Sequence, residues 1–257
     1  MSDAALTLRQ MKYTNRAFWR NPPAAFFTFA FPLMFLVIFT AIFTGTTKTL
    51  GLHVSVSTYY IPAIATFSII TATYTNLAIS ATFLREAGTL KRVRGTPMPT
   101  MDYLTARIIH AILMAILLVV IVTLFGVAFY HAHVTARTLP AFIVTIIVGA
   151  ACFSSLGLAL TSVIPNADAA PAVVNASILP LLFLSGVFIP LQNPSAWYVV
   201  VAKIFPVYHF ANAMLSAFFL PHGSGFRGWD LLIMGIWGLA GIAAAIKFFS
   251  WEPRSGV

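Results

Sequence analysis

Long apolar runs separated by short polar interruptions dominate this chain. They extend from about Ala24 to Thr44, Tyr59 to Leu84, Tyr103 to Tyr130, Leu139 to Ile164, Ala169 to Val187 and Trp229 to Ser250. A helix needs about 20 apolar residues to cross roughly 30 Å of hydrocarbon, and each run is near or beyond that length. The pattern predicts an all-α integral membrane protein with six transmembrane helices, the surplus length allowing tilt.

A further stretch, SAWYVVVAKIFPVYHFANAMLSAFFL from Ser195 to Leu220, is long enough to span but carries Lys203, Pro206 and His209 near its middle. A lone Lys at mid-membrane is costly, and Pro206 breaks a straight helix. The expectation is a re-entrant or outer helical pair before the last span, with Lys203 and His209 anchored at the headgroups. At the other end of the chain, Arg9, Lys12, Arg16 and Arg20 share one side of a helix, and Ala4, Leu8, Met11 and Phe18 lie opposite. This is an N-terminal amphipathic interface helix suited to an anionic inner leaflet. Asn21-Pro22-Pro23 ends it. The opening residues have no apolar core close behind Met1 and do not read as a secretory leader.

Composition agrees with the pattern. The 257 residues are 60% hydrophobic and 8% charged, with mean hydropathy +0.91, which leaves too little charge for a soluble surface of this size. The net charge of +9 invites a nucleic-acid reading, but the basic residues sit beside the apolar runs, where membrane topology uses them. Six spans with both termini cytoplasmic put Arg9, Lys12, Arg16, Arg20, Arg85, Lys91, Arg92, Arg94, Arg107, Lys247 and Arg254 inside. Lys48, Arg137, Lys203 and Arg227 fall outside, so the bias is positive-inside. Tyr59, Tyr60, Tyr130, Trp197 and Trp229 are expected in the outer aromatic belt, and Trp19, Tyr103 and Trp251 in the inner one. The single Cys152 excludes a disulfide framework and a cysteine metal site.

One cytoplasmic segment carries more than topology. FLREAGTLKRVRGTPMP, Phe83 to Pro99, has Arg85 and Glu86 ending an apolar run. Gly88 and Thr89 interrupt it, Leu90 to Val93 suit a short helix, and Gly95, Pro97 and Pro99 stop that helix. Lipid phosphates account for the charge but not for a short helix fenced by Gly and Pro. Such a stiff surface helix is suited to receive a push from a soluble partner.

This segment resembles the coupling segment of ABC-2-type permeases, especially the drug and antibiotic exporter branch that includes daunorubicin-resistance and nodulation-factor exporters. The match is Arg85-Glu86-Ala87-Gly88-Thr89-Leu90-Lys91-Arg92, closed by Thr96-Pro97. Leu184-Ser185-Gly186-Val187-Phe188-Ile189-Pro190, then Ile204-Phe205-Pro206-Val207-Tyr208-His209, is similar to the family's stretch after its fifth span. The resemblance implies a type V ABC exporter-like fold, with Arg85, Glu86, Gly88, Thr89, Leu90, Lys91, Arg92 and Arg94 coupling to an ATPase subunit. It implies one transmembrane domain over 1–257, with an interface helix at 1–23 and five spans in 24–187 containing a coupling helix near 85–95. Outer helices would follow at 188–228, and the last span with its tail at 229–257. The partners it implies are a pair of ABC ATPase subunits and a second permease subunit, either another copy or a relative. ATP and Mg would sit on the ATPase, with no cofactor on this chain, which contains no G-x-x-x-x-G-K-[ST] phosphate loop. The implied role is export of a hydrophobic or amphipathic substrate (drug, antibiotic, lipid or glycolipid) across a bacterial cytoplasmic membrane.

Polar and aromatic residues inside the spans are candidates for a substrate path: Phe27, Phe31, Tyr74, Asn76 and Asn175. Arg107 is expected to snorkel to phosphates, and His110 to pair with a neighbouring helix. Arg9, Lys12, Arg16 and Arg20 would touch the inner leaflet. Ser154, Ser155, Gly157, Gly235, Gly238 and Gly241 are small residues at helical spacing, suited to close packing. His131 and His133 are two ligands, too few for a metal site. An integral-membrane lipid enzyme would need clustered catalytic acids, yet Asp3, Glu86, Asp102, Asp168, Asp230 and Glu252 are scattered. An ion-coupled secondary transporter would want ionisable residues at mid-membrane, for which His110 is the one candidate.

Overall fold

The computed structural model describes residues 3–43, 45–49, 52–95, 100–130, 136–191, 196–219 and 223–253. The chain opens with α1 (Asp3–Trp19) and α2 (Pro22–Ile42), followed by a small antiparallel hairpin, β1 (Thr46–Thr49) and β2 (Leu52–Ser55). The hairpin pairs Thr46 with Ser55 and Thr49 with Leu52. Then come α3 (Val56–Ile70), a π-helical turn (Thr71–Thr75) and α4 (Asn76–Glu86), which run on as one helix. The remainder comprises α5 (Thr89–Arg94), α6 (Thr100–Tyr130), α7 (Leu139–Leu160), α8 (Ala170–Leu184), α9 (Trp197–Ala202), α10 (Pro206–Phe219) and α11 (Gly228–Phe248).

Among the described residues four stretches are long and apolar enough to cross a membrane: Val56–Glu86, Thr105–Tyr130, Ala136–Leu160 and Gly228–Phe248. The expected fifth span forms a shorter apolar helix over Ala170–Leu184, and the expected first span forms α2, 21 residues over Pro22–Ile42. At 1.5 Å per residue the 15-residue α8 reaches about 22 Å, short of the hydrocarbon thickness. The outward faces of the long helices are apolar: Leu113, Val120 and Leu124 on α6, and Leu232, Ile236 and Leu239 on α11, are exposed. Large apolar faces without protein cover suit hydrocarbon, not water.

The core is built around α3, whose residues from Tyr59 to Ile70 are all buried. It packs against α2, α6, α7 and α10. Ser55 starts it by accepting the Thr58 amide at 3.2 Å. The π-helical turn follows, where the Asn76 amide reaches back to the Thr71 carbonyl. Gly157 of α7 lies against that turn so closely that a Cβ there would sit 2.7 Å from the Tyr74 carbonyl oxygen. Small residues also bring α7 and α11 together: Gly241 abuts Ser155, Gly238 abuts Cys152, and Ser155 Oγ donates to the Gly238 carbonyl at 3.0 Å. Gly235 meets nothing and takes no part in that contact.

The 195–220 stretch is interrupted between α9 and α10, with Pro206 opening the second helix. Val207, Phe210, Met214 and Phe218 of α10 are fully buried. Two expectations are corrected. His209 does not reach headgroups: it is buried, with Nδ1 2.6 Å from Asp230 Oδ1 and Nε2 2.8 Å from the Lys203 carbonyl. Asp230 also accepts from Arg227 Nε at 2.7 Å. A buried ring facing an anion satisfies both partners, which outweighs the reach to a headgroup. Tyr59 and Tyr60 are likewise buried instead of belted, because the chain after α8 needs their hydroxyls. Tyr59 donates to the Gly186 carbonyl and Tyr60 to that of Phe188 at 2.9 Å. Tyr103 is also buried, while Trp197 and Trp229 are exposed.

Candidate functional site

The Arg85–Arg94 segment is shaped by a glycine. Gly88 has φ +68°, the left-handed conformation that ends α4 and that L side chains avoid. Its amide bonds the Arg85 carbonyl at 2.9 Å, closing the turn. The six residues of α5 follow at once, and Gly95 ends them with its amide on the Lys91 carbonyl at 3.2 Å.

The segment has two faces. Leu90 is buried among Leu77, Ala81, Tyr103, Leu158 and Ala245, which come from α4, α6, α7 and α11. Leu90 therefore places α5 in an apolar cluster shared by the ends of α4, α6, α7 and α11. Lys91 and Arg92 are exposed on the opposite face. Thr89 and Gly88 are partly buried, and the Arg94 side chain lies outside the described residues.

Arg85 does not join the exposed face. It is 2% exposed. Its Nη1 donates to the Thr161 carbonyl at 2.8 Å, its Nη2 to that of Ile164 at 2.8 Å, and its Nε to Glu86 Oε1 at 2.7 Å. Thr161 caps α7 and Ile164 lies in the loop beyond it, so the guanidinium meets the C-cap carbonyl and a loop carbonyl and sits at the negative end of the helix dipole. Arg85 and Leu90 thus seat the segment, and Lys91 and Arg92 present it. An Arg beside a Glu at the end of an apolar run looks like a loop charge in sequence. Nothing local reveals that it reaches across to another helix.

Beside α5, helices α1, α4 and α6 line a half-open cavity of about 690 Å³, bordered in part by Phe18, Asn76, Ser80, Thr89, Arg107 and His110. Arg107 is turned into the protein, its Nη2 donating to Ser80 Oγ at 2.6 Å and its Nη1 to the Tyr103 hydroxyl at 3.1 Å. That corrects the expectation of snorkelling: the guanidinium is buried and bonded to Ser80 of α4 and to Tyr103. His110 does not hydrogen-bond a neighbouring helix through Nε2, and its ring meets Phe18 edge-on at 6.0 Å. On α1 the residues Arg9, Lys12, Arg16 and Arg20 are exposed, and Gln10, Met11, Thr14 and Phe18 turn toward the bundle. Leu8, expected on the apolar face, is 60% exposed, because α1 packs chiefly on α6 and leaves Leu8 on its free flank.

The proposed path residues are dispersed. Tyr74 is buried, its hydroxyl 2.8 Å from Ser177 Oγ of α8. Phe31 is exposed on α2, beside Phe35 at 4.8 Å and Phe67 at 6.4 Å. Asn175 is exposed on α8. Among the described side chains of this set Asn76 alone lines the cavity beside α5, and the Phe27 side chain lies outside the described residues. His131 and His133 lie outside them too. Among the described residues no three His, Cys, Asp or Glu side chains gather as a metal site.

The chain matches the ABC-2 type transporter family over residues 5–219. The chain belongs to that family. As a member it is a multi-pass membrane protein and the membrane component of a transporter, a permease. No curated protein matches it in sequence. The matched region contains α1 through α10, including the α4–α5 turn and the cavity beside it.

Proposed function

We propose that this permease is the membrane subunit of an ATP-driven exporter, with α5 as the element on which a separate ATPase subunit acts. The observation that carries the reading is the two-faced α5. Its exposed Lys91 and Arg92 suit an acidic groove on a soluble partner, and its buried Leu90 ties it to α4, α6, α7 and α11. Arg85, Glu86, Gly88 and Thr89 set its position, and Arg94 extends its basic run. ATP and Mg belong to the partner, which closes as a pair and tilts α5. Two permease subunits, identical or related, complete the complex.

In this reading six helices cross a bacterial cytoplasmic membrane: α2, the α3–α4 helix, α6, α7, α8 and α11. Both termini are cytoplasmic, α9 and α10 re-enter from the outer side, and α1 lies on the inner leaflet through Arg9, Lys12, Arg16 and Arg20. The cargo is a small hydrophobic or amphipathic molecule, such as a drug, antibiotic, lipid or glycolipid. Phe31, with Phe35 and Phe67 beside it, offers such a molecule an apolar seam between α2 and α3, and Phe27, Tyr74, Asn76 and Asn175 complete the proposed route. Co-purification tests the docking step. The wild-type chain is expected to retain its ATPase subunit through detergent extraction, and the Lys91→Glu/Arg92→Glu variant to lose it while remaining folded. Full retention by that variant would remove α5 as the docking element.

A further inference from the structure

The cavity beside α5 contains a buried cation with no counter-ion among the described residues. Arg107 is 8% exposed, and both of its hydrogen-bond partners, Ser80 and Tyr103, are neutral. Its Nε has no partner, and neither has Nε2 of His110, itself 8% exposed one turn further along α6. The described lining of the cavity contains no Asp or Glu. A guanidinium is charged at any ordinary pH, and a buried charge is stable only when it is paired and its hydrogen bonds are made. A cation that lines a cavity with no acid in its described lining therefore marks a place where an anion belongs.

The rest of the cavity says what carries the anion. Phe18, Phe83 and Met114 give it an apolar wall, and its volume of about 690 Å³ far exceeds a lone phosphate. Arg9, Lys12 and Arg16 are exposed on α1, the helix that walls one side, and would concentrate acidic heads nearby. We infer that this cavity is a binding site for one phosphate-headed amphiphile of the inner leaflet, its head on Arg107 and its chain along Phe18 and Met114. Guanidinium groups hold phosphate oxygens through strong charge-assisted hydrogen bonds. Because Thr89 and Val93 of α5 also line the cavity, an occupant touches that helix directly. The site stands on its own geometry, whether or not an ATPase docks on α5.

The test uses the full chain in phosphatidylcholine nanodiscs, titrated with phosphatidylglycerol and read by native mass spectrometry. Inorganic phosphate and further phosphatidylcholine serve as the headgroup-only and neutral probes. Wild type is expected to hold one phosphatidylglycerol at least about tenfold more tightly than phosphatidylcholine. Arg107→Gln should abolish that preference, and Lys247→Gln, at an exposed position outside the cavity lining, should keep the one-to-one complex. If Arg107→Gln fails to fold, Asn76→Trp, which fills the cavity from an exposed position, decides by the same loss. Unchanged lipid binding in whichever variant folds would overturn the site. Inorganic phosphate that binds as tightly as the lipid would overturn the amphiphile and leave a simple anion site.

Discussion

Arg85 Nη1 donates to the carbonyl of Thr161 at 2.8 Å, although the two residues stand 76 positions apart. The contact joins the end of α4, from which α5 hangs, to the end of α7. The guanidinium thus ties the end of one helix to the end of another. It also explains why a positive charge sits buried at this level of the bundle: the α7 terminus supplies the negative dipole end.

Arg85→Gln is expected to destabilise the protein by about 3 kcal/mol. It removes charge-assisted bonds to the Thr161 and Ile164 carbonyls and strips Glu86 of a close partner. Thermal unfolding in a neutral detergent reads this directly. Arg85→Lys should recover less than half, because a point ammonium cannot meet three acceptors set for a planar fork. Equal melting temperatures for wild type and Arg85→Gln would show that the cap contributes nothing.

Gly157→Ala tests the packing at the π-helical turn. The added methyl would sit 2.7 Å from the Tyr74 carbonyl oxygen and 3.0 Å from its Cα. Both are backbone atoms, so α7 itself must shift. A loss of roughly 1–3 kcal/mol is expected. Gly235→Ala on α11, where nothing lies within 4 Å, is the control and should be neutral or slightly stabilising.

The His209 imidazole makes stability depend on pH. Burial pushes it down, but the Asp230 hydrogen bond, the Lys203 carbonyl and the Asp230 charge outweigh burial and raise it above its usual range. Two acceptors facing the two ring nitrogens require both to donate, which is the imidazolium. A raised folded value contributes stability that is complete below the unfolded value of about 6.5 and is lost as pH rises through the folded one. The melting temperature should therefore fall as pH is raised from mildly acid to alkaline, and His209→Gln should flatten that slope. An unchanged slope in the variant would assign the pH dependence elsewhere.

The helices were legible because their signal is local. Apolar runs of span length placed α3–α4, α6, α7 and α11 to within a few residues, and the Gly88 and Gly95 fences marked α5. The spacing of Ser155, Gly238 and Gly241 foretold a close helix contact. What stayed hidden depends on distant partners. The hairpin at Thr46–Ser55 has too few apolar positions to alternate visibly. The π-helical turn TATYT looks like ordinary helix, and its room comes from Gly157 far along the chain. Arg107 near the start of a span resembles a snorkelling cation until Ser80 of α4 is placed beside it. His209 and Asp230, 21 positions apart, meet because α10 packs on α11.

The central claim is that α5 transmits work between an ATPase and the bundle. The most direct measurement is ATP hydrolysis and transport in proteoliposomes by the permease with its ATPase subunit, comparing wild type, Glu86→Ala and Gly88→Pro. Proline cannot adopt the +68° φ of Gly88, so α5 would be re-aimed, and Glu86→Ala frees the Nε side of Arg85. Both variants should lose most of the coupled hydrolysis, or the assembled complex itself, while the ATPase subunit alone keeps its basal rate. Normal assembly and full coupling in both would contradict the account and reduce the segment to a basic topology anchor.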